Sequence, residues 1–145
     1  MKKILLSVTV LIVCALVFNV FGFSGANDKV KTKVRLIKEA MEKDGYNVRW
    51  FTISEKRGKL YNSILPNAVK TSNHLKGNAI DVYVLDIDGD GSFTQKDLDI
   101  VKKYNRLIEK KNPSLVGAFG TYTSKTFAKH MIHFDTRGYK KEYNM

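Results

Sequence analysis

A chain of 145 residues with 25 Lys and Arg against 14 Asp and Glu has the size of one ordinary domain and a surface that favours anionic partners. It carries one cysteine, Cys14, which excludes an internal disulfide framework. There is no internal repeat and no low-complexity linker.

Residues 1–26 read as an export signal. Lys2 and Lys3 form a positive n-region, Ile4 to Phe18 is almost wholly apolar, and Ser24-Gly25-Ala26 offers the small residues of a cleavage site. An uncleaved anchor is the alternative, because Ile4 to Phe23 spans 20 residues, near the ~20 that cross a bilayer. Ser7, Thr9 and Asn19 weaken that alternative, and Val13 stands where lipid attachment at Cys14 would need a small residue. The expectation is therefore a secreted or cell-envelope protein without stable membrane insertion after cleavage, its residues 27–145 forming one monomeric domain. Loss of Lys2 and Lys3 leaves 23 basic against 14 acidic side chains, a net charge of +9. Nucleic acid is the default partner of such a charge. Export points instead to the anionic polymers of a cell wall.

Along the chain, Val30, Val34, Ile37 and Met41 recur at helical spacing and Gly45 supplies a stop, which predicts an amphipathic helix over 28–44. "VRWFTI" (48–53) reads as a strand, and a short helix from Arg57 to Ile64 ends at Pro66. Ala79 to Asp86 alternates Ile80, Val82 and Val84 with Asp81, Tyr83 and Leu85, a pattern for a central strand. Leu98, Val101, Tyr104 and Ile108 mark a helix that Pro113 terminates, and residues 116–122 and 130–136 are two more strand candidates. The expected architecture is α+β: helices packed on a small, mostly antiparallel sheet.

"DIDGDGSFTQKD" (86–97) places Asp86, Asp88 and Asp90 at positions 1, 3 and 5 of a twelve-residue loop, Gly91 at 6, Ser92 at 7 and Asp97 at 12. That spacing is the ligand pattern of a calcium loop. Three carboxylates within five residues repel one another unless a cation joins them, and Ser92 offers a backbone carbonyl. Asp97, where a Glu is usual, resembles the dockerin-type variant of the EF-hand loop, which keeps the exiting helix and lacks the entering one. A structural Ca2+ is expected, and a solvated acidic turn is the plain alternative.

His74 and Asp81 lie seven positions apart at the entry to a strand. A hydrolytic zinc site needs about three protein ligands of imidazole and carboxylate type and one open position. With only His74, His130 and His133 in the chain, the third ligand has few candidates.

Ser72, His74, Gly77, Ala79 and Asp81 fill the pattern SxHxxGxAxD. This resembles the signature of the zinc D-Ala-D-Ala carboxypeptidase and L-Ala-D-Glu endopeptidase family, whose metal core the hedgehog signalling domain shares. "VGAFGTYTSKTFAKHMIHFDTRG" (116–138) is similar to that family's closing strand, which ends in His-x-Asp. The resemblance covers about Ile53 to Gly138. It implies a hedgehog-like fold, Zn2+ bound by His74, Asp81 and His133, and hydrolysis of amide bonds in peptidoglycan stem peptides. Asp81 and His133 lie on strand faces opposite the aliphatic residues, as that reading requires.

In the family a Glu or Asp three residues before the last ligand is commonly the base, and here that position is His130, which would need a bend before His133 to share its face. A histidine suits the task, with an unperturbed pKa of ~6.5. Asp135, on the His133 face, is the alternative base or an orienting group, and Arg137 would pair with it or bind a substrate carboxylate. Arg57 in "ISEKRGKLY" resembles the family's cleft arginine and would support an oxyanion, with Arg49 as competitor. Tyr83 and Tyr122 could line the cleft or simply pack. Two other classes stay open: a metal-containing wall-binding module without turnover, and a calcium-dependent adhesion module.

Overall fold

The computed structural model describes residues 25–65, 68–123 and 128–144. Residues 1–24 of the expected export signal (1–26) and Pro66, expected to end a helix, lie outside the described residues. Among those described, no helix is long and apolar enough to cross a membrane.

The first helix, α1 (Asp28–Lys43), buries Val30, Ile37 and Met41, the stripe its spacing predicts. It stops where Gly45 takes φ 90°, a left-handed conformation that glycine adopts without a Cβ clash. Strand β1 (Trp50–Ser54), the short helix α2 (Lys59–Ile64), a 3-10 turn (Asn73–Lys76) and strand β2 (Ala79–Val84) follow. The long helix α3 (Gln95–Lys111) then leads through a 3-10 turn (Pro113–Leu115) to β3 (Ala118–Thr121), β4 (Met131–Asp135) and β5 (Lys141–Asn144).

The five strands form one sheet in the order β1-β2-β4-β3-β5. All neighbours are antiparallel except β3 and β5, which run parallel. The α+β expectation with a mostly antiparallel sheet is thus what the structure has. Strand β5 was not among the expected elements.

One sheet face carries the core. Ile80, Val82 and Val84 of β2 and Ile132 and Phe134 of β4 are buried with Val30, Ile37 and Met41 of α1 and Leu98, Val101 and Tyr104 of α3. Phe119 meets Phe134 edge to face, ring centroids 5.6 Å apart. Each such side chain contributes about 1.5–3 kcal/mol through burial. Alternation along the strands then forces Asp81, His133 and Asp135 onto the other face.

A charged contact crosses this core. Lys33 of α1, fully buried, donates to Glu109 Oε1 of α3 at 2.7 Å and to the Asp135 carbonyl of β4 at 2.9 Å. The Gly117 amide donates to the same Glu109 oxygen at 3.0 Å. Burial holds the Lys33 amine below its ordinary pKa, against the opposing pull of Glu109. The ammonium therefore ties both helices to the end of the strand that carries His133.

Candidate metal centre

His74 enters the site through a local turn. Ser72 Oγ accepts the His74 amide at 3.3 Å, and Gly77 closes the turn at φ 71° with its own amide on the His74 carbonyl. These are the chemical reasons for the Ser and Gly of SxHxxGxAxD: one caps the turn and the other supplies a left-handed backbone. The His74 ring lies with Nδ1 2.6 Å from the Glu55 carbonyl. A carbonyl only accepts, so Nδ1 carries the proton and Nε2 keeps its lone pair.

Asp81 and His133 are cross-strand partners in the β2–β4 register. Asp81 Oδ1 is 2.8 Å from His133 Nδ1, Asp81 Oδ2 is 3.1 Å from His74 Nε2, and the two facing imidazole nitrogens are 3.2 Å apart. All three residues are buried, and one donor atom from each lies within 4.8 Å of the others. Burial alone would raise the Asp81 pKa, but the hydrogen bonds of His133 and His74 hold its carboxyl well below the usual range. Two imidazole nitrogens and a carboxylate oxygen converging in a buried spot form a donor set suited to zinc.

A second ring of contacts fixes these groups. Asp135 Oδ2 lies 3.3 Å from His133 Nε2 and accepts Asn73 Nδ2 and Arg137 Nε, each at 2.8 Å. Its Oδ1 accepts the Ala118 amide at 2.6 Å. Burial opposes ionisation of Asp135, yet His133, Arg137 and the Ala118 amide outweigh it and depress the pKa. Burial likewise opposes a proton on His133, while Asp135 and Asp81 raise its pKa. A carboxylate behind a ligating imidazole sets the tautomer and ring orientation of metal-bound histidines. The Asp135 carboxylate is thus engaged by His133, Asn73 and the Ala118 amide, and Arg137 pairs with it.

Arg57 also sits at the cluster. A slip of the β1–β2 register between Thr52 and Ser54 puts Ser54 opposite Asp81. Arg57 Nε donates to Ser54 Oγ at 2.8 Å, and Nη2 donates to Asp81 Oδ2. Its competitor Arg49 is exposed.

His130 stands beside the cluster rather than in it. It lies in the turn before β4, where its carbonyl accepts the Val84 amide at 2.9 Å. Its ring is parallel to Tyr83, centroids 4.8 Å apart, and Phe93 stacks on the ring at 3.7 Å. Its two stacking partners differ in place: Tyr83 alternates onto the Asp81 side of β2, whereas Phe93 packs against the core. The Val84 carbonyl, 3.0 Å from Nδ1, accepts a hydrogen bond from Nδ1–H and so leaves the lone pair on Nε2.

On the other side of His133 lies a residue that sequence reasoning missed. Tyr143 of β5 has its ring centroid 6.1 Å from that of His133. The Tyr143 and Tyr122 hydroxyls interact, and burial together with neighbouring groups, Asp81 among them, raises both pKa values, that of Tyr122 to about 12.

The acidic loop draws Asp86, Asp88 and Asp97 together. Asp86 accepts the Gly89 and Gly91 amides at 2.7 and 2.9 Å, and Gly91 takes φ 93°. Asp90 and Ser92 hydrogen-bond each other at the exposed tip and stand outside that trio. Asp97 Oδ2 accepts the Thr94 amide at 2.7 Å in a capping box that starts α3, and its Oδ1 accepts the Ile87 amide at 2.7 Å. Lys96 Nζ lies 2.6 Å from Asp88 Oδ2.

No family model, curated protein or solved structure matches the chain.

Proposed function

We propose that this protein is an exported zinc metallopeptidase of the D-Ala-D-Ala carboxypeptidase or endopeptidase kind, with the hedgehog-like metal core, acting on amide bonds of peptidoglycan stem peptides. The observation that carries the reading is the buried convergence of His74, Asp81 and His133, each with a partner behind it: the Glu55 carbonyl, Arg57 and Asp135. The SxHxxGxAxD and His-x-Asp resemblance supplies the substrate class, and the net charge suits an anionic wall.

Zinc bound by these three residues would polarise the scissile carbonyl and ease deprotonation of water. His130 Nε2 takes the proton of the attacking water as the C–O bond forms and then returns it to the leaving nitrogen as the C–N bond breaks. Arg57 supports the charge that develops on the carbonyl oxygen. Asp135 keeps His133 oriented and moves no proton.

The loop at 86–97 is proposed to bind Ca2+ through Asp86, Asp88, Asp90, Ser92 and Asp97. Its support is the trio of carboxylates brought together and the turn at Gly91. Filling it requires Lys96 to leave Asp88.

Purified zinc-loaded protein should release new amino groups from peptidoglycan, with the release abolished by chelator and by His133→Ala. One observation favours a second reading, a wall-binding module without turnover: the His130 ring is sandwiched between Phe93 and Tyr83 instead of meeting the ligands. Peptidoglycan binding without amine release would select that reading.

A further inference from the structure

Four residues form one row across the sheet. Asp81 pairs with His133, His133 with Gly120, and Gly120 with Tyr143. Residues directly opposite one another in a sheet share a face, so Tyr143 belongs to the face of the metal cluster. Gly120 is the blank in that row, and Tyr143 uses it. A Cβ added at Gly120 would lie 2.3 Å from Cε2 and Cζ of Tyr143 and 2.6 Å from its hydroxyl. The phenol is therefore laid flat over the glycine, pointing along the row toward His133 instead of standing up from the strand.

The strand that presents it is clamped. Glu142, the preceding residue, receives both Arg106 Nε and Nη2 at 2.7 Å and lies 3.0 Å from Lys102 Nζ. Alternation sends Glu142 toward α3 and Tyr143 to the opposite face. The Tyr122 hydroxyl interacts with that of Tyr143.

We propose that Tyr143 is a catalytic hydrogen-bond donor for the peptidase reaction, holding the carbonyl oxygen as it becomes an oxyanion. Gly120 and Tyr122 are the positioning residues that aim it. The inference rests on the zinc peptidase reading above. It gives the site a donor on the Gly120 side of His133, whereas Arg57 approaches from the Asp81 side, so the developing charge is met from two directions. A neutral hydroxyl suits this position because it binds an oxyanion more strongly than the neutral carbonyl that precedes it.

The test compares full-length wild type with Tyr143→Phe, both loaded with one equivalent of zinc. The probe is a phosphinate dipeptide whose tetrahedral phosphorus oxygens imitate the oxyanion. Loss of one such donor is expected to lower kcat on a stem peptide by about 100-fold or more with KM little changed. The phosphinate Kd should rise by a similar factor, while the zinc Kd and the thermal midpoint stay as in wild type. Gly120→Ala, which displaces the ring without removing the hydroxyl, should give the same pattern, and Tyr122→Phe a weaker form of it.

Equal phosphinate affinity in wild type and Tyr143→Phe would overturn the proposal. So would an equal fall in zinc and phosphinate affinity, or the absence of phosphinate binding to zinc-loaded wild type. If wild type binds the phosphinate but releases no amines from peptidoglycan, the peptidase reading fails on its own, and the two phosphinate affinities still decide whether Tyr143 is an oxyanion donor.

Discussion

His133 and Asp81 face each other in the β2–β4 register, and the imidazole Nδ1 stands 2.8 Å from the carboxylate Oδ1. This pairing places two of the proposed ligands on adjacent central strands, so the site inherits the rigidity of the sheet. Replacing Asp81 by Ala removes one of the three proposed ligands and leaves both imidazoles in place. The expected outcome is loss of stoichiometric zinc, read by metal analysis after dialysis, with the secondary structure in far-ultraviolet circular dichroism retained.

Asp135 acts at one remove. Asp135→Asn keeps the size of the side chain but removes the charge that His133 Nε2 faces at 3.3 Å. Changes behind a metal ligand typically cost 10–100-fold in affinity. A competition titration with a chromophoric chelator should return a loss in that range, and an unchanged zinc Kd would contradict the orienting role.

The Lys33–Glu109 pair predicts an asymmetry. Lys33→Ala leaves Glu109 buried without its cation and should destabilise the fold by about 3–5 kcal/mol. The double change Lys33→Met, Glu109→Gln leaves no charge uncompensated and should cost clearly less. Urea unfolding of the three proteins measures the difference.

The Glu142 clamp sets an acid limb. Its carboxyl is lowered from 4.5 to about 2, chiefly by the Arg106 hydrogen bonds. A depressed carboxylate pKa contributes stability above the unfolded value and loses it as the pH falls through the folded one. Wild type and Glu142→Gln should therefore differ in thermal midpoint above pH 4.5 and converge as the pH approaches 2. The difference is small, because the pair is partly exposed and screened.

Calcium should raise the thermal midpoint by binding the folded loop in preference to the unfolded chain. Asp88→Ala should abolish that rise and leave the zinc content intact. Asp97→Ala should lower the midpoint even without calcium, because it removes the Asp97 half of the capping box that starts α3, a loss of about 1 kcal/mol. Differential scanning calorimetry with and without calcium separates the two roles.

Much of this was legible in the chain. The stripe of α1 follows from Val30, Ile37 and Met41, the central position of β2 from Ile80, Val82 and Val84, and the convergence at the metal site from SxHxxGxAxD and His-x-Asp. The illegible parts depend on register or on tertiary partners. "KEYN" has no aliphatic alternation and is mostly exposed, so nothing local distinguishes β5 from a loop. Tyr143 becomes meaningful only once Gly120 is known to stand between it and His133. Lys33 reads as an exposed charge between apolar positions, because its partners Glu109 and Asp135 lie 76 and 102 residues away. The stacking of His130 on Phe93 was not legible either, since that contact joins the acidic loop to a distant turn.

The span of the ligands has a last consequence. His133 lies 52 residues from Asp81 and 59 from His74. An ion gripping all three knots distant parts of the polypeptide together much as a cystine would, and the chain-entropy treatment of a loop of that length gives about 4 kcal/mol. In a domain that has no thiols after Cys14, the metal would double as a covalent-like tether. Stripping it should then open the central strands to proteases, and not merely silence the chemistry.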